Sequence, residues 1–112
     1  MSTVITDEMM RAGLGQTKPY TLVILKKTPQ RAAPGGDKII WEHGRRNFML
    51  RADKLLAIVC PVRDDSDIAG VSVFNVSTSE AAAIMNDDPA VRAGVLTYEV
   101  HECRSFPGDS LP

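Results

Sequence analysis

The sequence is short of most features that would announce a function. It has no basic block or stripe of the kind that neutralises phosphates, and its formal net charge is -1, which argues against a nucleic-acid partner. Its longest apolar run, LLAIVCPV at 55–62, is far too short to span a bilayer. The first 20 residues lack a basic start followed by an apolar stretch, so the expectation is a cytoplasmic protein without membrane association. Its two cysteines, Cys60 and Cys103, lie in strand-like runs and not in C-x-x-C spacing, which favours reduced structural thiols over a metal or redox centre. The two histidines, His43 and His101, are far apart, and Glu99 alone shares a strand face with His101. No metal site and no cofactor is expected.

What is present is the composition of an ordinary globular domain, 44% hydrophobic and 24% charged, at a length that supports one core and not two. Residues 1–17 read as an N-terminal extension outside that core. They carry a short helical possibility at Asp7 to Arg11 that Gly13 and Gly15 would end. Residues 18–106 read as the domain, and 107–112 as a C-terminal tail.

Within the domain, PYTLVILKKT at 19–28 is a strand ended by Pro29, and PQRAAPGGD is a loop. Asp37 can cap a helix running to about Arg51. LLAIVCPV and IAGVSVFNV (68–76) are strands either side of the turn RDDSD. Ser77 and Glu80 have the spacing of a capping box for a helix reaching about Asn86. DDPAVRAG is a capped single turn closed by Gly94, and VLTYEVHEC (95–103) is the last strand. The order βαββαβ predicts an α+β, ferredoxin-like domain, a four-stranded antiparallel sheet with both helices on one face. Leu22 to Leu25 and Leu55 to Cys60 are consecutive apolar residues, whereas an antiparallel sheet with one wet face should alternate. A second copy is the simplest cover for the other face, so a homodimer through sheet faces is expected, with a small-molecule ligand as the remaining partner.

On a helical wheel of 37–51, Ile40, Trp41, Gly44, Phe48 and Leu50 share one arc with His43 and Asn47. Lys38, Glu42, Arg45, Arg46 and Met49 fall on the side assigned to solvent. An imidazole and an amide on the packing side each need partners, at about 1 to 3 kcal/mol per unpaired group. Two readings stay open. His43 is either a satisfied histidine at the edge of the core, or a titratable group beside a cavity. Asp88 either caps the turn at Pro89, or faces His43 and fixes its tautomer. Tyr98 and Asn47 are candidates for binding a polar substrate oxygen. Arg92 and Arg104 are candidates for attracting an anion. Met9, Met10, Met49 and Met85 form no helical stripe and read as filling.

These pieces in this order resemble the YCII-related family of the dimeric α+β barrel superfamily. The residues that carry the likeness are the helix His43 to Leu50, the strand LLAIVCP and the segment DDPAVRAGVLTYEV, within residues 19 to 106. The resemblance implies a ferredoxin-like dimer whose histidine and aspartate, here His43 and Asp88, mark an active site. The family includes a dehydrochlorinase acting on a chlorinated hydroxyquinol, which implies cofactor-free lyase or isomerase chemistry on a small aromatic molecule. The alternative is a non-catalytic, ligand-binding homodimer. Cys60 stands where the family usually has glycine before Pro61, which is expected to alter the pocket floor. The loop from Pro29 to Asp37 and the extension before Lys18 are longer than usual, and either could act as a lid or fill the pocket.

Overall fold

A computed structural model describes residues 2–112, so position 1 of the N-terminal extension lies outside it. In chain order the elements are α1 (Asp7–Leu14), β1 (Lys18–Lys27), a 3-10 turn (Pro29–Ala32), α2 (Gly36–Ala52), β2 (Leu56–Pro61), β3 (Ile68–Phe74), α3 (Thr78–Asn86), α4 (Pro89–Arg92) and β4 (Leu96–Ser105). The strands form one sheet in the order β2-β3-β1-β4, with every pairing antiparallel. This is the expected ferredoxin-like α+β arrangement.

Strand alternation decides what each face carries. Thr21, Val23 and Leu25 of β1 are buried, as are Ser72 and Phe74 of β3 and Leu56 and Leu96 at the ends of β2 and β4. They meet Leu50 from α2, Ala81 and Met85 from α3, and Ala90 from α4 in one core. Successive side chains of a strand point to opposite faces, so Leu22, Ile24, Val71 and Val73 occupy the other side of the sheet, where they remain part-exposed. The β2 edge is less apolar than its sequence suggests, because Ala57, Cys60 and Pro61 are exposed. Proline is tolerated there, since an edge strand has a backbone side with no ladder partner.

Four expectations about the helices change. Gly35, not Asp37, is the N-cap of α2, at φ 86. Asp37 lies in the first turn and pairs with Arg31 at 2.8 Å. Trp41 and Phe48 are 70% and 69% exposed, because α2 buries the stripe Gly36, His43, Leu50 and both aromatics fall nearly opposite it. Of the four methionines expected to be filling, Met9, Met10 and Met49 are exposed, and Met85 alone is buried. Helix α1 runs past Gly13, is capped by Thr6, and buries none of its residues.

The start of α2 lies hard against the turn before it. A Cβ at Gly36 would stand 2.4 Å from the carbonyl oxygen of Arg31, closer than atoms pack, and that oxygen belongs to the backbone. Gly36→Ala should therefore lower unfolding stability by about 1 to 3 kcal/mol in denaturant titration, against the gain of a few tenths to 1 kcal/mol normal for Gly→Ala in a helix.

Candidate active site

Residues 36, 43 and 50 are spaced seven apart, two helical turns each, so they form a single stripe along α2 that faces the sheet. His43 is the polar member of that stripe, and it is 9% exposed. Its Nδ1 lies 2.8 Å from Oδ1 of Asp88, whose side chain has no exposed surface at all. The other carboxylate oxygen, Oδ2, accepts the backbone N–H groups of Ala90 at 2.9 Å and Val91 at 3.4 Å, and so caps α4. The two roles open to Asp88 are thus filled together, one oxygen for each.

Burial pushes the Asp88 carboxyl up, but the hydrogen bond and charge of His43 and the two N–H groups outweigh it. The net result holds the group below the usual carboxylate range. An ionised carboxylate can only accept, so Nδ1 of His43 carries a hydrogen and, when the ring is neutral, its Nε2 is an acceptor towards the Asn47 amide N–H. Nε2 lies 3.4 Å from the Asn47 amide nitrogen, one turn further along α2.

The Nδ1 edge is covered by Asp88, and the ring also lines a cavity of about 490 Å³ between α2 and the sheet. Volumes of that order hold small organic ligands. Its walls are largely apolar, with Leu25, Ile40, Val59 and Leu96. The polar groups are His43, Asn47 and Ser72, and the charged residues are Lys27 and Arg31.

The structure therefore brings His43, Asp88 and Asn47 together, with Asp88 behind the histidine and out of reach of a ligand. It does not bring in Tyr98, whose hydroxyl donates to Asn86 Oδ1 at 2.8 Å and is 3.4 Å from the carbonyl of Ala82. Tyr98 shares the helix-facing side of β4 with Leu96, but its hydroxyl is engaged by α3 and not at the cavity. Arg92 is exposed on α4 and does not line the cavity, and Arg104 borders a separate depression with Thr17 and Lys18. The cationic groups at the cavity are instead Lys27, in step with Thr21, Val23 and Leu25, and Arg31, from the loop.

Arg46, which the wheel assigns to solvent, sits at the edge of the buried stripe. Its guanidinium donates to the Ile84 carbonyl at 2.6 Å and lies 3.7 Å from Asp88 Oδ1. Cys60 does not form the cavity floor, because it pairs with Val71 on the face away from the helices. The close backbone approach falls across from it, where a Cβ on Gly70 would be 3.3 Å from the Cys60 carbonyl oxygen. Both thiols are free. His101 pairs with Glu99 at 3.1 Å, well away from His43. Among the described residues no three His, Cys, Asp or Glu side chains gather as a metal site would require, and no helix is long and apolar enough to cross a membrane.

Neither a family model nor a curated protein matches the sequence. Among solved structures, the chain is similar to 5-chloro-2-hydroxyhydroquinone dehydrochlorinase from Burkholderia phenoliruptrix in complex with 2,5-dihydroxybenzoquinone. The TM-score is 0.55 at 21% identity, over 73% of this chain and 90% of that one. Likeness at that identity establishes the shared fold.

Because the folded-state pKa of Asp88 is depressed, the stability it contributes is present above the unfolded carboxyl value of about 3.9 and is lost as pH falls through the lower folded value. Asp88→Asn keeps a capping side chain but loses the charge, and should cost about 2 to 4 kcal/mol near neutral pH. Denaturant titrations of both proteins from neutral to strongly acid pH should show that gap narrowing only below about pH 4. A gap unchanged down to the lowest pH would mean the carboxylate is not what holds His43.

Proposed function

We propose that the protein is a YCII-related, cofactor-free enzyme of the lyase or isomerase type, acting on a small aromatic molecule. In this reading Nε2 of His43 is the proton acceptor and Asp88 is a positioning residue that fixes the tautomer. The observation that carries it is a histidine whose Nδ1 is committed to a fully buried carboxylate while the rest of the ring borders a cavity of ligand size. A merely structural histidine has no need of that space. The structural neighbour is a dehydrochlorinase, an activity of the same type, which gives the reading further support.

In such an elimination, Nε2 takes a proton from a C–H or O–H group of the substrate. The freed electron pair becomes a new π bond, and a leaving group such as chloride departs with its own bonding pair. The carbon it leaves is a ring carbon made tetrahedral by prior keto tautomerisation, in which an O–H proton is exchanged for a C–H bond at that carbon. The imidazolium then returns its proton to water. Asn47, beside Nε2, is placed to hold a substrate oxygen through its amide N–H.

The working unit in this reading is a cytoplasmic homodimer in which the open sheet faces pack together over Leu22, Ile24, Val71 and Val73. Two copies would cover apolar surface that one chain leaves part-exposed. A second reading, a dimer that binds a ligand without turning it over, is favoured by the scarcity of acid–base groups at the cavity. His43 is the one imidazole among the lining side chains, and no carboxylate joins it there.

Anaerobic release of chloride from 5-chloro-2-hydroxyhydroquinone is the direct assay. His43→Gln should slow it by about 10² to 10⁴ while circular dichroism stays native. Equal rates for wild type and His43→Gln would end the catalytic reading, and ligand binding without turnover by wild type would favour the second. For the assembly, Ile24→Lys should convert a dimer to a folded monomer in sedimentation velocity, and an unchanged sedimentation coefficient would remove the sheet-face contact.

A further inference from the structure

The charged side chains lining the cavity all have one sign. Lys27 and Arg31 are there, and no carboxylate is, since Asp88 is sealed behind the imidazole. The protein as a whole has a net charge of -1, so this local excess of positive charge runs against the average of the molecule.

Lys27 is placed by the strand. It continues the alternation of Thr21, Val23 and Leu25 towards the helices and stands opposite buried Leu96. It makes no ion pair among the described residues. Its charge reaches Asp64, but that carboxylate is engaged by the backbone N–H and hydroxyl of Ser66. Arg31 is placed by the loop. Thr28 caps its 3-10 turn, and Gly36 lets the start of α2 press against its carbonyl. Asp37 holds its guanidinium through Nη1, and Asp37 itself is almost wholly exposed, which leaves further N–H donors of Arg31 free.

Arg31 meets the start of α2 at Gly36 and Asp37, and His43 projects two turns further along that helix. The apolar walls line the same cavity, as does Gly44, where a Cβ would meet no atom within 4 Å. Glycine inside a helix costs about 1 kcal/mol relative to alanine, and at this position the missing side chain leaves room beside the imidazole.

We infer that the cavity selects a small organic anion with a flat apolar body, its acidic group held by Lys27 and Arg31 and its opposite polar end at Nε2 of His43. This rests on the proposed function for the role of His43, and it specifies the class of molecule. Two cations and a single proton acceptor lining one apolar cavity fit a ring carrying a carboxylate or comparable anion at one end and a hydroxyl at the other. A neutral ring would leave Lys27 partly desolvated without a counter-charge.

Calorimetric titration at low ionic strength with para-hydroxybenzoate and para-hydroxybenzamide, which differ in charge and little in shape, tests this. Wild type should bind the carboxylate about tenfold more tightly than the amide. Lys27→Met should lose most of that preference while the amide's affinity stays within about twofold. If that variant does not fold, Lys27→Gln provides the same reading. Gly44→Leu, which fills the cavity, should weaken both ligands.

Equal affinities in wild type, no binding of the carboxylate, or a preference that survives in the Lys27→Met/Arg31→Met double variant would each overturn the inference. Failure here is separable from failure of the enzyme reading. A cavity indifferent to charge whose turnover still depends on His43 removes only the anion site. Charge selectivity without any His43-dependent turnover removes only the enzyme.

Discussion

One carboxylate holds the site together. The two oxygens of Asp88 are divided between the backbone N–H groups that begin α4 and the imidazole that projects from α2. Burying a charge costs several kcal/mol unless its hydrogen-bonding capacity is filled, and here no exposed surface remains. The cap and the histidine are therefore not independent. The turn that orders the chain before β4 is built around the same group that orients the ring, and the Arg46 guanidinium stands 3.7 Å from the carboxylate oxygen that holds His43.

This arrangement fixes which nitrogen does what. A carboxylate can only accept, so Nδ1 carries the hydrogen and the basic lone pair lies at Nε2. The Asn47 amide lies beside it, and the ring lines the cavity. The position follows from the fold. Helix α2 packs against β2 and α4, and the alternation that buries Val23, Leu25 and Phe74 places Lys27 and Ser72 on the same side of the sheet. A domain of this size fills most of its interior. The space that persists lies where Gly44 contributes no side chain and Gly70 allows two backbones to approach.

Several of these features were legible in the residues. The S-x-x-E spacing placed the start of α3, and Asp88-Pro89 placed α4, because capping depends on a few neighbouring residues. His43 and Asn47 fell on the packing side because four residues return nearly to the same face. The errors share a cause. Trp41 and Phe48 were assigned inward because large apolar residues usually are, yet the direction of the stripe is set by where the sheet lies, and both point away from it. Arg46 was assigned outward because it is charged, although its guanidinium reaches across to the Ile84 carbonyl. Tyr98 has the chemistry of a ligand-binding residue, but its hydroxyl is engaged by α3.

The amino-acid sequence alone determined the order of elements, the alternation of the strands, the caps and so the antiparallel α+β sheet, because each depends on residues within one or two turns of one another. Tertiary structure alone decided that a carboxylate 45 positions from His43 would meet it, that Lys27 and Arg31 would stand at the cavity while Arg92 would not, and that Cys60 would face away. Those outcomes depend on the packing of α2 against the sheet, a geometry that no local stretch of chain contains.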